Sequence, residues 1–151
     1  MQKRMTHLHT LNGRKDVVID TMFFIYLFED TPRYGEHCES IIEMIAEGSF
    51  SALITPITAA EIVVKPIFAG RNDLADEYFS ALKRIKNTRL ASISVETGHI
   101  AGALKAKYRL PLPDMIQMAV ALQTEKPAII TNDKALKKVT EVKVYLLDDM
   151  I

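Results

Sequence analysis

Val17-Val18-Ile19-Asp20 is the stretch on which the reading of this chain turns. A β-branched apolar run ends in an acid, then come Thr21 and the apolar residues Met22 to Phe28. An unbroken apolar run of this kind reads as a strand covered on both faces, the mark of a central parallel strand. An acid at the carboxyl end of such a strand faces the crevice where open α/β sheets bind their ligands. The pattern returns late in the chain, where Ala128-Ile129-Ile130-Thr131 reads as a second buried strand and Asn132-Asp133 follows it. Acids at the same rim of one sheet define a candidate site.

Working outward, the chain alternates strand and helix. Met22 to Glu29 predicts a short buried helix broken at Thr31-Pro32, and about Tyr34 to Glu47 predicts another that stops at Gly48. Ser51 to Ile54 reads as the second strand. Pro56 ends it, Thr58 opens a helix, and Pro66 stops that helix. Asn72 starts a longer helix with Leu74, Tyr78, Leu82 and Ile85 along one face and a basic cluster, Lys83, Arg84, Lys86 and Arg89, near its end. Such clusters are usually solvated helix ends; a nucleic-acid contact is the sharper alternative. Leu90 to Ile93 reads as a short third strand and Val95 to Tyr108 as a helix, with Gly98 and Gly102 spaced for close packing. Leu110 to Pro113 reads as a stiff connector ahead of a helix that Asp114 begins. After the fourth strand, Lys134 to Val139 predicts a short helix and Val142 to Leu147 the last strand. Alternation of this kind predicts an α/β fold: a three-layer α/β/α sandwich with a central, mostly parallel five-stranded sheet. Residues 1–15 show no period and read as a flexible N-terminal arm, and residues 16–151 as the domain proper.

Composition narrows the class. With 151 residues the chain can bury one sizeable core, and 48% hydrophobic with 25% charged residues is ordinary for a globular protein. No apolar run approaches the roughly 18 residues of a membrane span, and no secretory leader is evident. Cys38 is the only cysteine, so no internal disulfide forms and a reducing cytoplasm is the default setting. Net charge is zero, but Lys3, Arg4, Arg14 and Lys15 fall in residues 1–15 with no acid, which leaves the remainder net acidic. An acidic body argues against broad electrostatic binding of nucleic acid and leaves room for phosphate contact through metal. His7 and His9 could bind a metal, although an unstructured tail is the simpler reading. His37, Cys38 and His99 read as surface or packing residues.

Asp20, Glu61, Asp114 and Asp133 stand out as candidate site residues. Each has a bland explanation. Asp20, Asp114 and Asp133 precede helices and could be N-caps, and Thr58-x-x-Glu61 matches a capping box. In an open parallel sheet, however, strand ends and the following helix starts share one rim, so all four can meet. Converging carboxylates raise each other's pKa unless a cation neutralises them. A set of hard oxygens without matching His or Cys selects Mg²⁺ or Mn²⁺ over Zn²⁺. Such ions lower the pKa of a bound water and stabilise charge on phosphodiester oxygens. Thr131 could orient a water or a carboxylate from the same rim.

At these residues the chain resembles the PIN-domain family, and within it the VapC-type ribonuclease toxins of toxin–antitoxin pairs. The family's motifs correspond to Val18-Ile19-Asp20-Thr21, Thr58-Ala59-Ala60-Glu61-Ile62, Leu112-Pro113-Asp114-Met115-Ile116-Gln117-Met118-Ala119 and Thr131-Asn132-Asp133-Lys134. They occur in order over roughly residues 16–147. The chain departs from the pattern at Met22, where Asn or Ser is common in the family. The resemblance implies a Mg²⁺- or Mn²⁺-dependent endoribonuclease that cleaves RNA phosphodiester bonds through a metal-activated water. It implies that Asp20, Glu61, Asp114 and Asp133 hold the metal, that the protein is a homodimer, and that a small antitoxin covers the acidic pocket. Other classes stay open. Met22 and the low basic charge would suit a non-catalytic PIN-fold module that binds nucleic acid or protein. A phospho-acceptor signalling domain also places acids at strand ends, but it usually carries paired acids after the first strand, and here Thr21 and Met22 follow Asp20.

Overall fold

A computed structural model describes residues 8–151. The first strand, β1 (Val17–Ile19), leads into α1 (Thr21–Phe28) and α2 (Gly35–Ala46). Next come β2 (Ala52–Ile54), α3 (Pro56–Phe68), α4 (Asn72–Arg84) and β3 (Thr88–Leu90). The chain then runs through α5 (Val95–Tyr108), α6 (Leu112–Leu122), β4 (Ala128–Thr131), a 3₁₀ turn (Lys134–Lys138), β5 (Lys143–Leu146) and α7 (Leu147–Met150). The strands form one five-stranded sheet in the order β3-β2-β1-β4-β5, and every pairing is parallel.

β1 lies at the centre. Val17 and Val18 pair with Ala52 and Leu53 on one side, and Val18 and Ile19 pair with Ile129 and Ile130 on the other. Its side chains alternate between two cores, as a strand's period of two requires. Val17 and Ile19 join Phe23, Phe24, Ile41, Ile45 and Ile62 on one face. Val18 joins Leu53, Ile129, Met115, Met118 and Leu104 on the other. Helices α1 to α4 therefore cover one face and α5 with α6 the opposite one, giving three layers. From β1 the chain first builds outward to β2 and β3, then crosses back to add β4 and β5. The order reverses between β1 and β4, and at such a reversal the loops diverge and open a crevice.

Several boundaries differ from expectation for clear reasons. Helix α3 starts at Pro56 and continues through Pro66 to Phe68. Proline at the first helical position forfeits no intrahelical bond, whereas Pro66 supplies no N–H for the Ile62 carbonyl, and the helix ends two residues later at Phe68. Helix α6 likewise starts at Leu112, with Pro113 in its first turn; the expected stiff connector is thus partly helical. Strand β3 is Thr88–Leu90 rather than Leu90–Ile93. It is an edge strand, with Leu90 half exposed, so it does not coincide with the most apolar local run. A Cβ at Gly98 or Gly102 would meet nothing, so these residues do not mediate close packing; Ala101 and Leu104 are the core residues of α5.

Residues 1–7, including His7, lie outside the described residues. The rest of the expected N-terminal arm is laid on the body. Leu11 is wholly buried in the first core and Leu8 packs against it. The Gly13 N–H donates to the Ser49 carbonyl at 2.8 Å, and the Tyr145 hydroxyl donates to the Thr10 carbonyl at 3.3 Å. Leu8 and Leu11 stand three residues apart in an otherwise polar stretch, too short a pattern to betray the element, yet they anchor the segment. Among the described residues no helix is long and apolar enough to cross a membrane.

Candidate active site

The carboxyl ends of β1 and β4 flank the crevice, and Asp20 stands at its centre. It is 7% exposed. Asp20 does cap α1, with Oδ1 accepting from the Thr21 N–H at 2.8 Å, but capping accounts for only part of its surroundings. Oδ1 also accepts from Gln117 Nε2 at 2.8 Å, and Oδ2 accepts from the Thr131 hydroxyl at 2.7 Å. Burial raises the Asp20 pKa, and the nearby Asp133 charge adds to the rise. The bonds from Thr131, Thr21 and Gln117 oppose it.

Glu61 is reached from the same turn. The Thr21 hydroxyl donates to Glu61 Oε1 at 2.8 Å and shares a 3.0 Å bond with the Thr58 hydroxyl. The capping box expected at Thr58-x-x-Glu61 is absent: Thr55 is the N-cap of α3 and makes no side-chain cap bond. Thr58 and Glu61 are instead directed at β1. Asp114 lies in the first turn of α6 rather than at its N-cap, which is Pro111. Its carboxyl is pushed up to about 6, chiefly by burial and then by the charges of Asp20, Asp133 and Glu61. Asp133 caps the 3₁₀ turn, with Oδ1 accepting from the Ala135 N–H at 2.9 Å. Its own N–H donates to the Thr131 hydroxyl at 3.1 Å, so Thr131 ties Asp133 to Asp20.

The four acids thus gather at one rim, near enough for Asp114 to feel the other three. Among the described residues, none of the ion pairs involves any of the four. Buried like charge without a cationic side chain suits a metal ion, and oxygen donors alone suit Mg²⁺ or Mn²⁺. Among the described residues no three His, Cys, Asp or Glu side chains form a closed metal-ligand cluster.

Other candidates lie elsewhere. His9 hydrogen-bonds Asn12, and Cys38 is buried in the first core with its thiol pushed up to about 12 by burial. In the basic cluster, Lys83 sits 4.5 Å over the Phe79 ring. Arg89 pairs at 3.3 Å with Asp16, ahead of β1 and thus at the end of that strand opposite Asp20. A cavity of about 460 Å³ at the β5 edge, lined by Lys137, Tyr145 and Asp149 among others, includes none of the four acids. Of the supporting residues, Thr58 and Gln117 lie inside the family's motifs but take no site role there, and Thr55 lies outside them. Gln117 alone carries a signal: it is a polar residue on a helix whose neighbours are apolar.

The family model for the PIN domain matches residues 17–142, most of the chain. The chain belongs to the PIN-domain family. The matched span of this PIN domain starts at β1 and takes in all four acids. Solved structures agree on the fold. VapBC2 from Rickettsia felis, bound to a DNA fragment from its promoter, has a chain that superposes with a TM-score of 0.70 at 13% identity, over 88% of this chain and 98% of that one. A toxin–antitoxin complex from Klebsiella pneumoniae gives 0.63 at 22% identity, over 87% and 98%. DNA-bound VapBC from Salmonella typhimurium gives 0.61 at 14% identity, over 87% and 98%. No curated protein matches the sequence.

Proposed function

We propose that this PIN domain, residues 16–151, is a Mg²⁺- or Mn²⁺-dependent endoribonuclease and the toxin of a toxin–antitoxin pair. The observation that carries the reading is Asp114, a half-buried carboxyl that the charges of Asp20, Asp133 and Glu61 disfavour as an anion and that, among the described residues, makes no ion pair. A divalent ion held by Asp20, Asp114 and Asp133, with Glu61 reaching it directly or through water, would supply positive charge to the phosphodiester oxygens and lower the pKa of a water. The chain's own groups prepare the place. Three donors keep the buried Asp20 carboxylate in one orientation. Thr21 holds Glu61 toward β1, and Thr131 holds Asp133 beside Asp20. A proton on Asp114 competes with the ion, so cation affinity falls below about pH 6. Without the ion the acids repel a phosphate backbone, so binding of RNA and of metal support each other. The VapBC complexes that share this fold support an antitoxin partner for this chain as well; a homodimer is part of the same proposal and rests on the family resemblance alone.

RNA cleavage with Mg²⁺ or Mn²⁺ tests the reading. Because partners one shell out from a metal are worth about 10–100-fold, Asp20→Asn and Asp114→Asn are each expected to lose at least about a hundredfold. Equal cleavage by wild type and both variants ends the proposal. The exposed Met22 at the start of α1 favours the second reading, a non-catalytic module that binds nucleic acid or protein. Calorimetry that detects no divalent-ion binding would favour that module and count against the enzyme.

A further inference from the structure

Gln117 is 1% exposed on a helix whose other inward residues, Met115, Met118, Ala119 and Ala121, are apolar and wholly buried. An amide in such a place is costly unless both its ends are paired. Both are. The Thr55 hydroxyl donates to Gln117 Oε1 at 2.7 Å, and Gln117 Nε2 donates to Asp20 Oδ1 at 2.8 Å. Thr55 is itself 1% exposed. An ionised carboxylate only accepts, so it takes the amide N–H, and the Thr55 hydroxyl donates to the amide oxygen on the other side. Thr55 thus anchors the far end of Gln117, and Gln117 holds Asp20.

The bond count at Asp20 gives this a chemical consequence. A carboxylate has roughly four lone-pair positions, two on each oxygen. The Thr21 N–H and Gln117 both use Oδ1, and Thr131 uses Oδ2. Oδ1 is saturated, and one position is left open, on Oδ2. Mg²⁺ demands near-ideal geometry from single oxygens, whereas Ca²⁺ accepts carboxylates that bind through both. We infer that Gln117, set by Thr55, is a positioning and specificity-determining residue that confines Asp20 to one open oxygen and so favours small divalent ions over Ca²⁺. The inference rests on the proposed metal-dependent reading of the site.

The test is titration calorimetry of the full chain with MnCl₂, MgCl₂ and CaCl₂ in the absence of RNA, on wild type, Gln117→Leu, Thr55→Val and Thr55→Ser. Gln117→Leu is expected to weaken Mn²⁺ and Mg²⁺ binding on the order of 10–100-fold and Ca²⁺ binding by clearly less. Thr55→Val shifts the same ratio in the same direction, and Thr55→Ser, which keeps the hydroxyl, restores it. A merely structural role would lower stability and leave the ratio unmoved. An unchanged Mn²⁺-to-Ca²⁺ ratio in Gln117→Leu, or identical behaviour of Thr55→Val and Thr55→Ser, overturns the inference. NMR separates its failure from that of the parent reading. A slowly exchanging Gln117 side-chain amide whose resonances move in Asp20→Asn and in Thr55→Val supports the positioning role even if wild type binds no divalent ion. That result would remove the metal reading and its ion preference alone. A fast-exchanging amide overturns the positioning role itself.

Discussion

Asp114→Asn should make the metal-free protein more stable at neutral pH. The carboxyl is moved from 3.8 to about 6 on folding, by burial first and by Asp20, Asp133 and Glu61 after it. At full strength such a shift corresponds to roughly 3 kcal/mol. Asp114 is only half-buried, and solvent screening reduces the figure to about 1–2 kcal/mol. Between about pH 4 and 6 the native state binds more protons than the unfolded chain, so stability falls as pH rises through that window. Asparagine has no proton to lose and escapes the penalty. Urea denaturation in chelator is expected to show Asp114→Asn ahead of wild type by about 1–2 kcal/mol at pH 7.5 and level with it near pH 4. Mn²⁺ should then raise the stability of wild type more than that of the variant, because only wild type keeps the full set of oxygens. A variant no more stable than wild type at pH 7.5, or equally more stable at both pH values, would refute the reasoning.

Two further outcomes follow from named contacts. Thr21→Val removes the hydroxyl that holds Glu61 and meets Thr58; cleavage in Mn²⁺ should fall about tenfold and unfolding free energy by about 1 kcal/mol. Leu11→Ala empties a wholly buried position in the first core and should cost about 2–5 kcal/mol in urea denaturation, whereas a loss under about 0.5 kcal/mol would mean that this segment is not part of the folded unit.

Much of the fold was legible because it rests on continuous apolar runs. β1 and β4 are buried on both faces, so their residues announce themselves without alternation, and α5 carries its own start in Ser94, whose side chain caps it. Legibility failed where burial and sequence character part company. β3 is an edge strand and needs no apolar run. Pro66 reads as a stop and Leu110 to Pro113 as a connector, yet Pro113 sits in the first turn of α6, where proline is tolerated, and α3 runs only two residues beyond Pro66. Leu8 and Leu11 make too short a pattern in a polar, basic stretch to mark a buried segment. At the site, the acids could be placed on one rim from topology alone. The hydrogen bonds that orient them could not, because Gln117 and Thr131 reach Asp20, and Thr21 reaches Glu61, across long stretches of chain, and local spacing does not encode such contacts.

The bonds that hold Asp20 come from Gln117 and Thr131, 97 and 111 residues further along the chain. A ribosome must therefore have extruded most of the polypeptide before the first acid acquires its partners. Chains that stall or are cut before α6 lack Asp114, Gln117, Thr131 and Asp133 altogether. Under the proposed ribonuclease reading, this late closure acts as a safeguard during synthesis: a chain cut before α6 lacks two of the four acids, so the hazard arises only with the finished molecule.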